Sequence, residues 1–470
     1  MLHLLLSSVR DDPRAVKQAL ADFMSKLQLP SKKRCYERQE DHSGRTRRTS
    51  TLGKRTDGRA DTAAILASLN GTLSKYKQSP LPPIPPLSKI QKRDSNEPLT
   101  DNFEADLGED IDYFGFGIIG KGDGKPQKFS FVFDTGSSDF WIPGPACTAD
   151  EGCNGTTKYD EGGIDLHSVT TVSYGSGQIT GEDFKDDVTV ADLTADYQTL
   201  ISVTNAVGFT TTGADGLMGM AFSNLAQDNG TTFFENLIAQ GKVRHHEFSF
   251  FLGRNKSETQ SLSELTLGGR DTTKFRGNPT VIHVTEQGFW QVAIQNVIVN
   301  GTNLGVATTG QGAIDTGTTL LIAPINASLA IFDAIPGSIA LNFGAEILFA
   351  FPCNTTANFL PQFVMTDKAF GLNPLDFNLG PLDEIFLELL TESGQKETAK
   401  QLAADDDDGF CISAVAGADI VSAVDGQTLL YVMGDTFIKN WYSIFSFTAA
   451  PGGKPAVLLA EQAIGGYYFH

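Results

Sequence analysis

Two short stretches of the chain hold residues that could do chemistry together: "FVFDTGSSDFW" at 131–141 and "GAIDTGTTLLI" at 312–322. Each apolar run ends in an aspartate, Asp134 or Asp315, and continues with Thr, Gly and a hydroxyl residue. A single Asp-Thr-Gly could be an ordinary turn after a strand, where Asp and Gly are favoured. Any one tripeptide arises by chance about once in several thousand positions. Two copies in the same context, 181 residues apart, therefore read as one working unit present twice.

If a pseudo-twofold axis brings the loops together, Asp134 and Asp315 become neighbours in a partly desolvated site. Like charges that close cannot both be carried cheaply, so the pair would share a proton over an acidic range. One carboxylate then acts as general base and the other as general acid on a water between them. Gly136 and Gly317 would let the backbone turn tightly and aim N–H groups at the carboxylates. Ser137 and Thr318 would offer hydroxyls to the outer oxygens.

The elements that must hold these loops are strands. Runs rich in Phe, Val, Ile and Thr, broken by Gly, Asn and Asp, recur from about residue 100, and 48 glycines are spread through the chain. "YFGFGIIG" and "KFSFVFDTG" read as two strands joined by the turn "KGDGKPQ". From about residue 280 the same order returns, with "GFWQVAIQNVIVNG" leading into the second loop. The expected class is all-β, from a duplicated domain-sized unit and not from a solenoid of short repeats.

On these motifs the chain resembles the pepsin-like aspartic endopeptidases over about residues 98–460, most of all the secreted fungal members in "VMGDTFIKNWYSIFSF". The resemblance implies a bilobed pepsin-like fold: two pseudo-twofold-related, β-barrel-like lobes with the cleft between them. It makes Asp134 and Asp315 the catalytic pair and gives Thr135 and Thr316 the hydroxyls that cross-link the loops. "SYGSGQITG" at 173–181 matches the flap, a hairpin closing over bound peptide. Tyr174 then becomes the flap tyrosine, Trp141 its hydrogen-bonding neighbour, and Gly175 and Ser176 contacts to the substrate backbone. Leu217, in "ADGLMGMAF", is expected to line a substrate pocket, while this segment and "VMGDTF" otherwise pack beneath the loops. The implied activity is acid hydrolysis of polypeptides, without cofactor or metal, in a monomer open to pepstatin-like inhibitors.

Charge divides the 470 residues. Residues 1–93 hold 19 Lys and Arg against 8 Asp and Glu, whereas the remainder holds 17 against 48. A basic arm on an acidic body needs no nucleic acid as partner, because the body itself attracts it. The proline-rich linker "SPLPPIPPLSKIQKR" ends in the dibasic pair Lys92-Arg93, with Lys54-Arg55 and Arg47-Arg48 as weaker rivals. Residues 1–93 are accordingly expected to be a removable propeptide, 94–285 the first catalytic lobe with its flap, and 286–470 the second. In the family such an arm covers the cleft, often with a lysine near the dyad, and Lys75 or Lys77 could serve here.

Five cysteines suggest, by their order, the local pairs Cys147–Cys153 and Cys353–Cys411, with Cys35 left over; the resemblance points to the same two. N-x-S/T sequons start at Asn70, Asn154, Asn229, Asn255, Asn300, Asn326 and Asn354, which with paired cysteines favours a secretory chain bound for the exterior or an acidic vacuole. "MLHLLLSSVR" is too short in apolar residues for a signal-peptide core, so another start or a missing leader is expected. No stretch reaches membrane-spanning length, so no membrane anchor is expected. The segment 383–409 reads as an insertion with a helical centre and an acidic end, Asp405 to Asp408, lacking the alternation of a calcium loop. His245-His246 reads as a surface turn, and no histidine has metal-protease spacing. Three other readings compete: a one-loop protease that must dimerise, a catalytically silent binding or inhibitor protein on the same fold, and an acidic surface glycoprotein. Two intact loops and an intact flap tyrosine weigh against all of them.

Overall fold

A computed structural model of the chain describes residues 94–104, 109–120, 125–153, 157–174, 177–208, 213–305, 310–382, 384–403, 409–422 and 427–464. Residues 1–93, with Lys92, Arg93, Lys75, Lys77, Cys35 and Asn70, lie outside the described residues, as do Asn154, Gly175, Ser176 and Asp405 to Asp408.

The fold is all-β, built on three sheets of sixteen, eight and four strands. The first aspartate ends the strand Gln127–Asp134, in which Phe129, Phe131 and Phe133 face the core and Ser130 and Val132 are buried as well. A strand covered on both faces reads as a continuous apolar run, not as an alternation. The carboxylate that follows "FVF" stays in this buried end of the strand, and it is the start, Gln127 and Lys128, that reaches the surface.

The two halves repeat one arrangement. In the first, Gln127–Asp134 runs parallel to Gly216–Gly219, with Asp134 opposite Gly219. The strand leaving the loop, Phe140–Pro143, runs antiparallel to Gly216–Gly219 and parallel to Leu193–Val207. In the second, Gly310–Ile314 runs parallel to Leu429–Met433, with Ile314 opposite Met433. Leu321–Ala323 is antiparallel to Leu429–Met433 and parallel to Val415–Ala418. Each aspartate loop thus straddles a hydrophobic-glycine strand threaded between its two arms. Only glycine allows that passage: a Cβ on Gly219 would lie 2.4 Å from the carbonyl carbon of Ser138, and one on Gly434 2.2 Å from the carbonyl oxygen of Thr318.

The halves are joined through the largest sheet, where Ser95–Pro98, Glu264–Leu267, Glu247–Phe251, Trp441–Ala450, Lys454–Gln462 and Phe275–Gln287 follow one another. Phe248 pairs with Phe445, and the strand Phe275–Gln287 spans the boundary placed at 285/286. Phe222, Phe234, Phe248, Trp290, Phe445 and Phe447 stack into one aromatic knot here, with Phe222 and Trp290 centroids 4.5 Å apart. Burying each such ring is worth about 1.5–3 kcal/mol, which makes this junction a firm base for two separate loops.

The insertion forms two helices, Glu384–Glu392 and Lys396–Ala403. Phe386 and Leu390 share a face at i, i+4 spacing and, with Ala399 and Leu402, join the apolar cluster of Leu341 and Leu348. Disulfides join Cys147 to Cys153 and Cys353 to Cys411. No helix among the described residues is long and apolar enough to cross a membrane.

Candidate active site

The two Asp-Thr-Gly loops meet back to back. Thr135 Oγ1 donates to the Ile314 carbonyl (2.9 Å) and accepts from the Thr316 N–H (2.9 Å). Thr316 Oγ1 donates to the Phe133 carbonyl (2.6 Å) and accepts from the Thr135 N–H (3.0 Å). Four hydrogen bonds thereby clamp the loops, each hydroxyl used as donor and acceptor, and both threonines are buried.

The carboxyl groups are held by matching contacts. Asp134 Oδ1 accepts from Gly136 N (2.8 Å) and its Oδ2 from Ser137 Oγ (2.5 Å). Asp315 Oδ1 accepts from Gly317 N (2.9 Å) and its Oδ2 from Thr318 Oγ1 (2.7 Å). A Cβ placed on Gly317 would sit 2.2 Å from Asp134 Oδ1 but 2.9 Å from its Oδ2. Glycine is needed at 317 for that close approach, and Asp134 directs its Oδ1 at the partner loop. The backbone beneath is tied to both aspartates, in opposite senses: Met220 N donates to the Asp134 carbonyl (2.8 Å), whereas Asp315 N donates to the Met433 carbonyl (3.1 Å). Asp134 and Asp315 are 1% and 0% exposed, so their charge is largely withdrawn from water.

Ile164–Ser173 and Gln178–Val190 form an antiparallel hairpin at the expected flap position, with Ser173 opposite Gln178. Tyr174 N donates to the Gly177 carbonyl (2.7 Å), closing the turn. Tyr174 is buried against Trp141, with ring centroids 6.4 Å apart. Burial pushes its phenol well above the usual range, the Asp139 and Asp134 carboxylates add to this, and a hydrogen bond from Trp141 works the other way. Tyr174 is thus a neutral hydroxyl at any working pH. Leu217 is half-buried beside the same cluster, which also holds the Cys147–Cys153 disulfide.

Several buried ionisable groups were not legible beforehand. Asp139 is 3% exposed and accepts from Gln227 N (2.7 Å) and Asp228 N (3.0 Å). Burial and the neighbouring Asp228 carboxylate push its carboxyl up to about 8. Below the second loop, Arg254 grips Asp376 through Nε (2.8 Å) and Nη2 (2.7 Å), while Lys439 reaches Asp110 (3.3 Å) and Asp376 (3.6 Å). Asp435 is fully enclosed, and its N–H donates to the Thr318 carbonyl (2.7 Å). Burial drives its carboxyl well above the usual range. These partners lie from 63 residues apart (Asp376 and Lys439) to 329 (Asp110 and Lys439), so spacing gave no signal of them. Among the described residues, no group of three or more His, Cys, Asp or Glu is placed to hold a metal ion. His245 is exposed and His246 half-buried.

Two cross-bonded aspartate loops, under a hairpin bearing a neutral tyrosine and between two halves of one strand pattern, define a class of protein: a bilobed aspartic hydrolase of peptides. The family model for eukaryotic aspartyl proteases matches residues 113–453. Cathepsin E of Aquarana catesbeiana is 32% identical over 368 residues, covering 76% of this chain and 82% of that protein. Cathepsin D of Chionodraco hamatus is 29% identical, covering 75% and 82%. The aspartic protease of Phaffia rhodozyma is 31% identical, covering 68% and 71%. The chain belongs to the eukaryotic aspartyl protease family and is an aspartic-type endopeptidase. Its fungal affinity is carried less strongly than the family, since the cathepsins are as similar as the Phaffia enzyme.

Proposed function

We propose that this endopeptidase works in acid, that Asp134 and Asp315 activate one water between them, and that the chain is made as a zymogen cut after Lys92-Arg93. The observation that carries the catalytic reading is the clamp of Thr135 and Thr316, which fixes the two carboxyls against each other with Asp134 Oδ1 aimed at the opposing loop. Two carboxyls so placed share one proton. The ionised member takes a proton from the water as its oxygen attacks the scissile carbonyl carbon, and the protonated member gives its proton to the carbonyl oxygen. Collapse of the resulting diol returns a proton to the amide nitrogen and breaks the C–N bond. Substrate lies extended beneath the flap, aligned by its backbone, with Gly175 and Ser176 as contacts and Leu217 in a pocket wall.

Zymogen processing is supported by position. The strand Ser95–Pro98 begins two residues beyond Arg93 and pairs with Glu264–Leu267 at the edge of the joining sheet, while Arg244 reaches Asp94 at 3.7 Å. A cut at 93 would leave that strand in place. The basic arm neutralises part of the acidic body, and acid would release it by protonating carboxylates. Secretion, or delivery to an acidic vacuole, fits the two disulfides and the sequons. Asn229, Asn300, Asn326 and Asn354 are exposed and can take glycans, whereas Asn255 is half-buried.

The test is to bring the purified full chain from neutral pH to about pH 3.5, inside the carboxylate range, and follow three readouts. A new N-terminus at Asp94, cleavage of unfolded haemoglobin and inhibition by a statine peptide are expected together. A folded chain that is processed but cleaves no polypeptide would overturn the enzymatic reading in favour of a silent binding protein. Activity without loss of residues 1–93 would overturn the zymogen reading alone.

A further inference from the structure

Trp290 is the bulkiest fully buried side chain among the described residues, and its place relative to the two loops is unusual. It opens the strand Trp290–Ile294, which lies against Gly310–Ile314 with Gln291 opposite Ala313, two residues before Asp315. Its indole Nε1 donates 3.0 Å to the carbonyl of Met220. Met220 is the residue whose own N–H donates to the Asp134 carbonyl. One residue, Met220, therefore separates the indole from the backbone of the first aspartate, and one strand pairing separates it from the second. The neighbouring backbone repeats the attachment: Phe222 N donates to the Gly288 carbonyl (3.1 Å), and Asn224 Nδ2 to the Gln287 carbonyl (3.1 Å). Phe222, Phe248, Phe445 and Phe447 surround the ring at centroid distances of 4.5–5.7 Å, so the indole cannot swing away from its acceptor.

We propose that Trp290 is a positioning residue for the dyad, a second brace, independent of the threonine clamp, that sets the level of the Asp134 loop relative to the strand carrying Asp315. This rests on the reading of Asp134 and Asp315 as the catalytic pair. The clamp joins the loops at their tips; the indole joins them from below, through the Met220 peptide. Removing the N–H while keeping an aromatic ring would leave the Met220 carbonyl without its donor and free the Met220–Ala221 peptide, whose N–H donates to the Ser137 carbonyl (2.9 Å), so that Met220 can shift beneath the Asp134 loop. Such a shift alters the reacting geometry without touching the substrate-binding surface, so kcat should change and KM should not.

The experiment compares Trp290→Phe with Trp441→Phe in the acid-processed enzyme. Trp441 is also buried and also donates its indole N–H to a backbone carbonyl, that of Gly371 at 3.2 Å, on the strand Lys368–Gly371, which pairs with Gln362–Met365. Active sites are titrated with a statine peptide, so that rates refer to folded enzyme only. Trp290→Phe is expected to lose about tenfold in kcat, part of the hundredfold that a 1 Å misplacement can cost, with KM within about twofold. The limbs of its pH profile should move, because they report the coupled carboxyls. Trp441→Phe should lose stability and keep kcat. Equal losses in both variants, or an unchanged Trp290→Phe, would overturn the proposal. If Trp290→Phe fails to fold, benzothienylalanine at 290 preserves the shape and replaces N–H by sulfur. Normal kcat in that protein, or its failure to fold as well, would reduce Trp290 to a core residue and likewise overturn the proposal. An inactive wild type would instead remove the reading on which the brace depends.

Discussion

Replacing Thr316 by Val tests the clamp at nearly constant volume. The hydroxyl removed is both the donor to the Phe133 carbonyl and the acceptor for the Thr135 N–H. Both orphaned groups are buried, and each costs about 1–3 kcal/mol when left unpaired. The added methyl returns about 0.8 kcal/mol of burial, so Thr316→Val should destabilise by about 1–5 kcal/mol. The reciprocal pair at Thr135 remains, yet the two hydroxyl oxygens are only 3.3 Å apart and cannot act independently. The double variant Thr135→Val/Thr316→Val should therefore cost clearly less than the sum of the singles. Urea unfolding near pH 5 measures the stability, and statine-titrated kcat measures the geometry. Thr316→Ser should recover most of both, because it keeps the hydroxyl. Wild-type stability and kcat in Thr316→Val, or strict additivity in the double variant, would refute the clamp as the element that fixes the loops together.

Stability should fall as pH rises. Burial raises the carboxyls of Asp101 (to about 9), Asp139 (to about 8), and Asp112 and Asp228 (each to about 6), and it holds Asp435 well above the usual carboxylate range. A carboxyl raised in the fold contributes stability that is fully present below its unfolded pKa of about 4 and is lost as pH climbs through the folded value. Thermal melts should thus drop between about pH 5 and 9, and Asp101→Asn or Asp139→Asn should flatten the drop; melts rising over that range would contradict the assignment. Asp110 behaves oppositely: burial alone would raise it, but Lys439 and its hydrogen bonds hold it low, so its share disappears only in strong acid. Arg254→Met should destabilise by about 3–5 kcal/mol, because it takes the paired guanidinium from buried Asp376, leaves it only Lys439 at 3.6 Å, and removes a brace between the halves; a urea midpoint unchanged from wild type would refute it. Gly317→Ala should abolish activity and statine binding together, since its Cβ would occupy the position of the Asp134 carboxyl; titratable active sites in that variant would contradict the close approach.

The sequence disclosed what repeats and what is local. The duplicated loops, the flap hairpin around Tyr174 and the strand pair on either side of "KGDGKPQ" depend on neighbours a few residues away or on a pattern seen twice. The joining sheet was not visible, because Trp441–Ala450 pairs with Glu247–Phe251 across nearly two hundred residues and both runs look like ordinary apolar strands. The same reason hid Arg254 with Asp376 and Lys439 with Asp110: spacing carries no trace of an ion pair between distant segments. Asp139 and Asp435 sit inside recognised motifs, yet burial makes them unusual, and burial is a property of the packed whole. Trp290 lay in plain view in "GFWQV", where a tryptophan in an apolar strand signals core and nothing more.

The most direct test of the central claim is the rate of polypeptide hydrolysis by Asp134→Asn and Asp315→Asn beside the wild type, at about pH 3.5, with folding of each checked by its thermal melt. An amide keeps the shape, still accepts from Gly136 or Gly317 N–H through its Oδ1, and can turn its Nδ2 to donate to the Ser137 or Thr318 hydroxyl, but it can neither take nor give the shared proton. Each variant should lose at least about a thousandfold in kcat, within the range attributed to general acid–base catalysis, while folding as the wild type does. Hydrolysis within tenfold of wild type by either folded variant would contradict the account, because one carboxyl would then suffice.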